Sequence, residues 1–361
     1  MRASLIGKIP LTLITGFLGS GKTTLVSALL RQEDMRQVAV VVNEMGEIGI
    51  DHELISYSSE NISLLANGCI CCSVRTDLQE TLRELFAQKR AGQVLDFDRV
   101  VVETTGLADP APVMQTLFSD TLLAAQFRLD GVITLVDAVL GGETLDAHPE
   151  AVKQVMMADA LLLTKCDLAS PQQIQASQLK IQGLRPQLPC KLIKNGLIPA
   201  SELLGLGLSS SRNVQSNLRF LGTLIDSDAI GTEPALAQQW RAAHTPFQTH
   251  TLRFERAMSW ETFSEALDLL TRLRGKDLLR MKGIINVDGE PLVVQGVQHL
   301  MQEPVRLDAW PSADLSSRLV FITRGIDSNA IRRVFEAIET LTPEQAPGAT
   351  SETSSREKET T

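Results

Sequence analysis

Residues 16–23 read G-F-L-G-S-G-K-T, set between an apolar run and an apolar-periodic stretch. Three glycines within 16–21 can continue neither a strand nor a helix, so the chain must turn sharply here. The run before it, I-P-L-T-L-I-T at 9–15, reads as a buried strand. The stretch after it, from Lys22, carries Leu25, Ala28 and Leu29 on one helical face. Strand, glycine-rich loop and helix are the context that G-x-x-x-x-G-K-[ST] requires of a phosphate-binding loop. Gly16, Gly19 and Gly21 let the backbone wrap phosphate oxygens, and the helix N-terminus aims N–H groups at the anion. Lys22 then bridges β- and γ-phosphates, and Thr23 offers its hydroxyl to Mg²⁺. An ordinary glycine-rich turn is the alternative, and motif and context together weigh against it.

A fold follows from what accompanies this loop. Continuous β-branched runs recur at 37–43, 99–104, 131–138 and 159–165. Strands without polar alternation belong in a parallel sheet covered on both faces. Helical patterns fall between them, at about 22–33, 76–90, 110–124, 149–157 and 171–183. The alternation predicts an α/β class chain with a doubly wound P-loop domain over residues 1–205. Periodicity fades over 206–244, rich in Gly, Ser, Asn and Gln, which reads as a linker with a short helix near A-L-A-Q-Q-W-R-A-A. Residues 245–341 read β-α-β-β-β-α, a smaller α+β domain with a hairpin turning at Asp288-Gly289. The tail 342–361 has almost no apolar residues and is expected to be disordered.

Two further strand ends carry chemistry. R-V-V-V-E-T-T-G at 99–106 places Glu103 where a Mg²⁺-side acid is needed, and Gly106 three residues on, where its N–H can meet a γ-phosphate. T-K-C-D at 164–167 places Asp167 to accept from the N1–H and N2–H₂ edge of guanine, a donor pair adenine lacks. Lys165 can lay its aliphatic stem over the base. Thr164 stands where this motif usually has Asn, which leaves guanine preference resting on Asp167. A solvated Lys–Asp loop pair is the plainer alternative.

Three of the five cysteines, Cys69, Cys71 and Cys72, fall within N-G-C-I-C-C, while Cys166 and Cys190 stand alone and read as core residues. The cluster follows a turn signal and precedes Thr76 and Gln79, spaced as a capping box, so it is expected in a loop near a helix N-terminus, where thiolates are favoured. Clustered thiolates suit Zn²⁺ or Cu⁺. A closed structural zinc site uses four protein ligands, commonly from two segments, and no second C-x-x-C pair exists here. Three sulfurs therefore suit a metal meant to leave again, with core packing or vicinal redox chemistry as alternatives. The odd cysteine count and the lack of a secretory signal point to a reducing cytoplasm. The net charge of −9 argues against nucleic-acid binding, and no apolar stretch is long enough for a membrane span.

G-F-L-G-S-G-K-T-T, N-E-M-G-E, N-G-C-I-C-C, E-T-T-G-L-A-D-P and T-K-C-D, in that order, resemble the CobW/YjiA-type metallochaperone GTPases, and L-L-R-M-K-G-I-I-N-V-D-G-E-P resembles that family's C-terminal domain. The resemblance implies a GTP-hydrolysing carrier that binds GTP/GDP and Mg²⁺ and hands Zn²⁺ to metal-dependent client proteins. It implies that Gly19, Ser20, Gly21, Lys22, Thr23 and Thr24 hold phosphates, that Thr23 and Glu103 serve Mg²⁺, that Thr164, Lys165 and Asp167 form the guanine motif, and that Cys69, Cys71 and Cys72 hold the cargo. The family often has E-N-E-F-G after its second strand, where this chain has Val42-Asn43-Glu44-Met45-Gly46. The first Glu is missing, which leaves the fourth ligand unassigned; Glu44, Glu47 and His52 are the substitutes within reach in sequence. The five histidines form no storage tract, so transfer of a single ion is expected. Insertion of cobalt or iron is the alternative within the same class. A P-loop small-molecule kinase is the alternative outside it, but no Arg-rich lid is found. A module that binds nucleotide and metal only structurally is the third. Neither the client nor the oligomeric state is legible.

Overall fold

Strand β1 (Ile9–Gly16) is the spine of the larger sheet, and its end delivers the chain into the glycine loop. The computed structural model describes residues 8–35, 37–42, 55–59, 62–65, 70–73, 78–94, 96–186, 188, 190–204, 206, 236, 239–240 and 245–341; over 55–73 only backbone course is described. After β1 come α1 (Lys22–Leu30), β2 (Val38–Val42), β3 (Ile55–Ser59), β4 (Ile62–Leu65), β5 (Ile70–Ser73) and α2 (Leu78–Arg90). Then follow β6 (Arg99–Glu103), α3 (Pro110–Ser119), α4 (Thr121–Gln126), β7 (Phe127–Asp137), α5 (Gly141–Ala147) and α6 (Pro149–Met156). β8 (Ala160–Thr164), α7 (Pro171–Leu184), β9 (Cys190–Leu192) and α8 (Ala200–Leu203) complete this half.

The strand order is β3-β4-β5-β2-β6-β1-β7-β8-β9. The pairings from β5 to β9 are parallel, and β4 and β3 add antiparallel strands at one edge. The run V-A-V-V-V in β2 shows why the strands lack alternation: Val40 and Val42 pack on the α1 side with Leu25 and Leu29, while Ala39 and Val41 pack on the opposite side with Leu82 and Met114. Both faces are dry, so both sets must be apolar.

Three elements depart from the expected boundaries. β7 begins at Phe127, before the apolar run, because Arg128 and Asp130 are buried inside it. Asp130 is ion-paired with Arg99 and lies 3.6 Å from Arg128, which lets two charges enter a buried strand. The helix expected over 110–124 is two helices, since Asp120 turns the chain and caps α4 by accepting from Leu122 and Leu123 N–H. Cys71 and Cys72 lie on strand backbone rather than in a loop: in β5 they pair with Val40 and Val41 of β2. The ladder offered by an edge of β2 supplies the order that so short a stretch does not announce by itself. Cys69, Thr76, most of 206–244 and the tail 342–361 lie outside the described residues; Leu236, Gln239 and Trp240 are helical.

The second sheet is built from β10 (Phe247–Phe254), β11 (Leu278–Val287), β12 (Glu290–Val297), β13 (Leu300–Met301), β14 (Val305–Arg306) and β15 (Ser317–Arg324), with α9 (Trp260–Arg274) and α10 (Ser328–Leu341). Its order is β10-β15-β11-β12-β13, all antiparallel, with β14 also on β12. The hairpin turns at Asp288-Gly289 as the sequence predicts, both with positive φ (52° and 91°). Phe263, Leu267 and Phe335 of α9 and α10 cover one face, where they share a core with Leu319 and Phe321 of β15. From the other face Phe247, Leu279, Val297 and Ile322 join the core of the first sheet, so the two sheets share one apolar interior.

A buried ion cluster marks this junction. Asp159, just before β8, accepts from Arg280 (2.7 Å) and Lys282 (3.1 Å) of β11 and from Val132 N–H (2.9 Å). Burial alone would raise the Asp159 carboxyl, but the Arg280 and Lys282 charges outweigh it and hold the group below the usual carboxylate range. Burial, against the pull of Asp159, brings Lys282 down to about 8. Because the Asp159 pKa is lowered on folding, its contribution is complete above the unfolded value of 3.8 and is lost as pH falls through the folded value. Asp159→Asn should cost about 3–5 kcal/mol at neutral pH. The gap to wild type, measured by urea unfolding, should stay flat down to about pH 4 and narrow only below it. A gap that already closes between about pH 7 and 5 would contradict this assignment.

Candidate functional site

The phosphate-loop, E-T-T-G and T-K-C-D segments follow the carboxyl ends of β1, β6 and β8, where open α/β sheets bind ligands. At Gly16, with φ 146°, an added Cβ would sit 2.5 Å from the Leu135 carbonyl oxygen and 2.7 Å from Ser20 Oγ, so only glycine lets β1 turn against β7 here. Gly21 caps α1 without a side-chain acceptor, so the helix's first N–H groups have no side-chain partner at the cap. Lys22 is buried, and its ammonium donates to the carbonyls of Gly16 (2.9 Å) and Phe17 (3.3 Å), which centres a positive charge inside the loop.

Thr23 Oγ1 donates to Glu103 Oε1 at 2.7 Å. Glu103 is fully buried and lies opposite Ile14 of β1 and Val42 of β2. A hydroxyl and a buried carboxylate converging beside a phosphate loop form a hard oxygen donor set, and this fits Mg²⁺. Beyond Glu103, Thr104 N–H donates to the Ile14 carbonyl (3.0 Å) and its hydroxyl to Thr15 (2.9 Å), which ties the segment to the end of β1. Gly106 then packs on the glycine loop so closely that a Cβ would lie 2.7 Å from Leu18 N.

On the base side, Thr164 Oγ1 donates to the Ser20 carbonyl at 2.8 Å and lies 3.2 Å from the Val136 carbonyl. The residue in the usual Asn position thus bonds the T-K-C-D segment directly to the phosphate loop. Lys165 adopts a left-handed conformation (φ 55°), and its ammonium pairs with Asp137 at 2.6 Å. Asp167 is exposed and accepts from Asn195 N–H at 3.2 Å. Asn195 and Leu197, with Thr23, Thr24 and Arg31, line an open cleft of about 820 Å³ running along α1. Gln32 clamps the far wall, donating to the Ile198 carbonyl and accepting from Ala200 N–H, both at 2.8 Å.

The metal motif is described only in part. Cys71 and Cys72 sit on β5, next to β2 in the same sheet, and nothing of Cys69, Glu44, Glu47 or His52 is described. Among the described residues no group of three or more His, Cys, Asp or Glu is placed to hold a metal. Val42 is buried in the apolar layer with Leu25 and Val26, so in this chain the position serves packing. Cys166 and Cys190 do pack in the core as expected; burial, with Cys166 alongside, pushes the Cys190 thiol up to about 12, and burial also raises Cys166.

Three residues that the motifs did not single out take part. Gln154, buried in α6, donates through Nε2 to the carbonyls of Gly106 (3.1 Å) and Ala108 (3.0 Å). Its signal was a polar residue on the apolar face shared by Ala151 and Val155. Asp137 ends the apolar run of β7, as Glu103 ends that of β6. Asn195-Gly196 is a turn dipeptide separated from the end of β9 by two residues, with φ 52° and 68°.

Residues 10–191 match the family described as CobW/HypB/UreG, nucleotide-binding domain, and residues 247–339 match the cobalamin synthesis protein cobW C-terminal domain. The chain is 33% identical to the zinc chaperone YjiA of Escherichia coli, over 91% of this chain and 98% of that protein. It is 31% identical to the zinc chaperone CobW of Pseudomonas aeruginosa, over 90% of each, and 30% identical to zinc-regulated GTPase metalloprotein activator 1 of Schizosaccharomyces pombe, over 90% of this chain and 84% of that protein. The crystal structure of Zn(II)-bound YjiA GTPase from E. coli superposes with a TM-score of 0.69 at 30% identity, over 92% of this chain and 99% of that one. With both matched regions in place and the loop, acid and T-K-C-D segments gathered at one end of the sheet, the chain belongs to the CobW/HypB/UreG family.

Proposed function

We propose that this protein is a GTP-hydrolysing zinc chaperone that passes the metal to client proteins under control of the bound nucleotide. The observation that carries the reading is the Thr23–Glu103 contact of 2.7 Å at the foot of a loop whose lysine is already held inward. Relatives named zinc chaperone or zinc-regulated GTPase, aligned over nearly the whole chain, support the same activity and cargo.

In this reading the amides of Gly19, Ser20, Gly21, Lys22, Thr23 and Thr24 cradle the phosphates, and the Lys22 ammonium faces the β- and γ-oxygens. Thr23 and Glu103 are the residues that would hold Mg²⁺, which when bound neutralises charge on those oxygens. Asp167 accepts from the guanine edge while Lys165 covers the base, and Asn195 fixes the carboxylate from behind. Thr164 keeps this pocket in register with the phosphate loop through Ser20. The Gly106 N–H reads the γ-phosphate. Intrinsic turnover should be slow, because no described residue is assigned as an arginine finger or a water-positioning glutamine. Cys69, Cys71 and Cys72 take zinc as cargo, thiolates being soft ligands that select it over hard cations. β5 lies beside β2, which in turn lies beside β6 and Glu103, so the cargo segment and the nucleotide end share contiguous strands.

Lys22→Ala should abolish GTP binding and turnover, read by calorimetry and phosphate release. Replacing Cys71 and Cys72 by Ser should remove tight zinc binding yet leave GTP affinity within about twofold. Unchanged zinc stoichiometry in that double variant would remove the cysteines from the site. Thr164→Val keeps the shape but loses the donor to Ser20. It should destabilise the fold by about 1 kcal/mol in urea and weaken GDP and GTP binding alike. A loss confined to one nucleotide would contradict a role common to both states.

A further inference from the structure

Helix α6, eight residues and about 12 Å long, touches three separate parts of the molecule together with the residues that flank it. At its start, the His148 ring stacks on Phe17 of the phosphate loop at 4.4 Å between centroids. In its last turns, Lys153 pairs with Asp109 and Gln154 holds the carbonyls of Gly106 and Ala108. At its end, Met157 O accepts from Arg280, Met156 O accepts from Arg185, and Asp159 takes Arg280 and Lys282. The helix is itself pinned to the sheet, since Thr134 Oγ1 donates to Gln154 O at 2.9 Å.

The orientation of the Gln154 amide is fixed by chemistry. Two carbonyl oxygens within 3.1 Å can only be met by the NH₂ end, because the amide oxygen would repel both. That leaves Oε1 buried with no hydrogen-bond partner among the described residues. A buried acceptor without a donor is costly, so the side chain is held where it is for what its NH₂ does. That NH₂ holds the carbonyls of a segment whose Gly106 packs directly on Leu18.

We propose that Gln154 is a positioning residue for the Gly106 loop and that α6 couples this loop to the seating of the C-terminal sheet on Asp159. The proposal rests on the GTPase reading above, which makes the Gly106 N–H the reporter of the γ-phosphate. The two ends of the coupling are close in the chain: a shift of the Gly106 loop pulls on Gln154 in α6, and the Met157 carbonyl and Asp159 carboxylate that carry Arg280 and Lys282 follow three and five residues later, just past the helix end. By linkage, a change at Arg280 must then alter the discrimination between GTP and GDP, although Arg280 belongs to β11 of the other sheet.

The test measures affinities of the full chain with Mg²⁺ for a non-hydrolysable GTP analogue and for GDP, by calorimetry. It compares wild type, Gln154→Met, Arg280→Met and the double variant. Gln154→Met should lower the analogue-to-GDP affinity ratio about fivefold or more, because GDP has no γ-phosphate for the loop to meet. Arg280→Met should shift the same ratio about threefold or more, and the double variant should change it by less than the product of the two. Lys282→Met, which keeps Arg280 on Asp159, replaces Arg280→Met if that variant does not fold, and should shift the ratio in the same direction. An unchanged ratio in Gln154→Met overturns the positioning role. An unchanged ratio in the folded β11 variant, or full multiplicativity in the double, overturns the coupling. Wild type that binds neither nucleotide overturns the GTPase reading itself, an outcome distinct from the other two.

Discussion

The nucleotide end of this molecule depends on one register: Ile14 of β1 opposite Glu103 of β6. With β6 between β1 and β2, that pairing brings a fully buried carboxylate within 2.7 Å of a hydroxyl at the start of α1. A parallel strand shifted by one residue would turn Glu103 to the other face of the sheet and replace it with an apolar side chain or a hydroxyl. The register is held by two dry faces, since a slip would exchange the sets Val100–Val102 and Val101–Glu103 between layers already filled. The precision of the site is therefore a by-product of core packing, and Thr104, bonded to Ile14 and Thr15, extends the same pairing into the loop that carries Gly106.

How much of this was legible depends on how local each cause is. The glycine loop could be read because its residue types answer to geometry within eight positions. β7 could be read only from Gly131 onward, because Arg128 and Asp130 look like surface residues until Arg99, a residue of β6, is known to meet them. Asp120 carried a cap signal in S-D-T, yet the apolar period on either side bridged it. Gln154 looked like an ordinary helical glutamine, and its partners lie more than forty residues away. Arg280 and Lys282 sit in a strand whose pattern predicts a hairpin but not what the hairpin faces. Long-range electrostatic pairing leaves no periodic trace in a single chain.

The two departures from the family pattern have different physical meanings. Thr164 supplies a hydroxyl donor that links the base-side segment to Ser20, so the residue in the usual Asn position makes a hydrogen bond across the site. Val42 preserves nothing of a carboxylate. It fills the layer against Leu25 and Val26, and a charge placed there would need a partner in a dry interior. A zinc site in this chain must therefore recruit its ligands from beyond the end of β2 and not from within it.

The shared interior of the two sheets has a consequence for how the chain comes into being. Phe247, Leu279, Val297 and Ile322 complete a core whose other buried members are encoded before residue 189. Until Phe247, Leu279, Val297 and Ile322 have been made, the apolar residues of the first half that they contact lack those partners. The halves are thus less like beads on a string than like a vessel and its lid made in sequence. Evolution could not easily trade one second half for another, because a replacement would have to inherit the same four apolar contacts and the same two cations for Asp159.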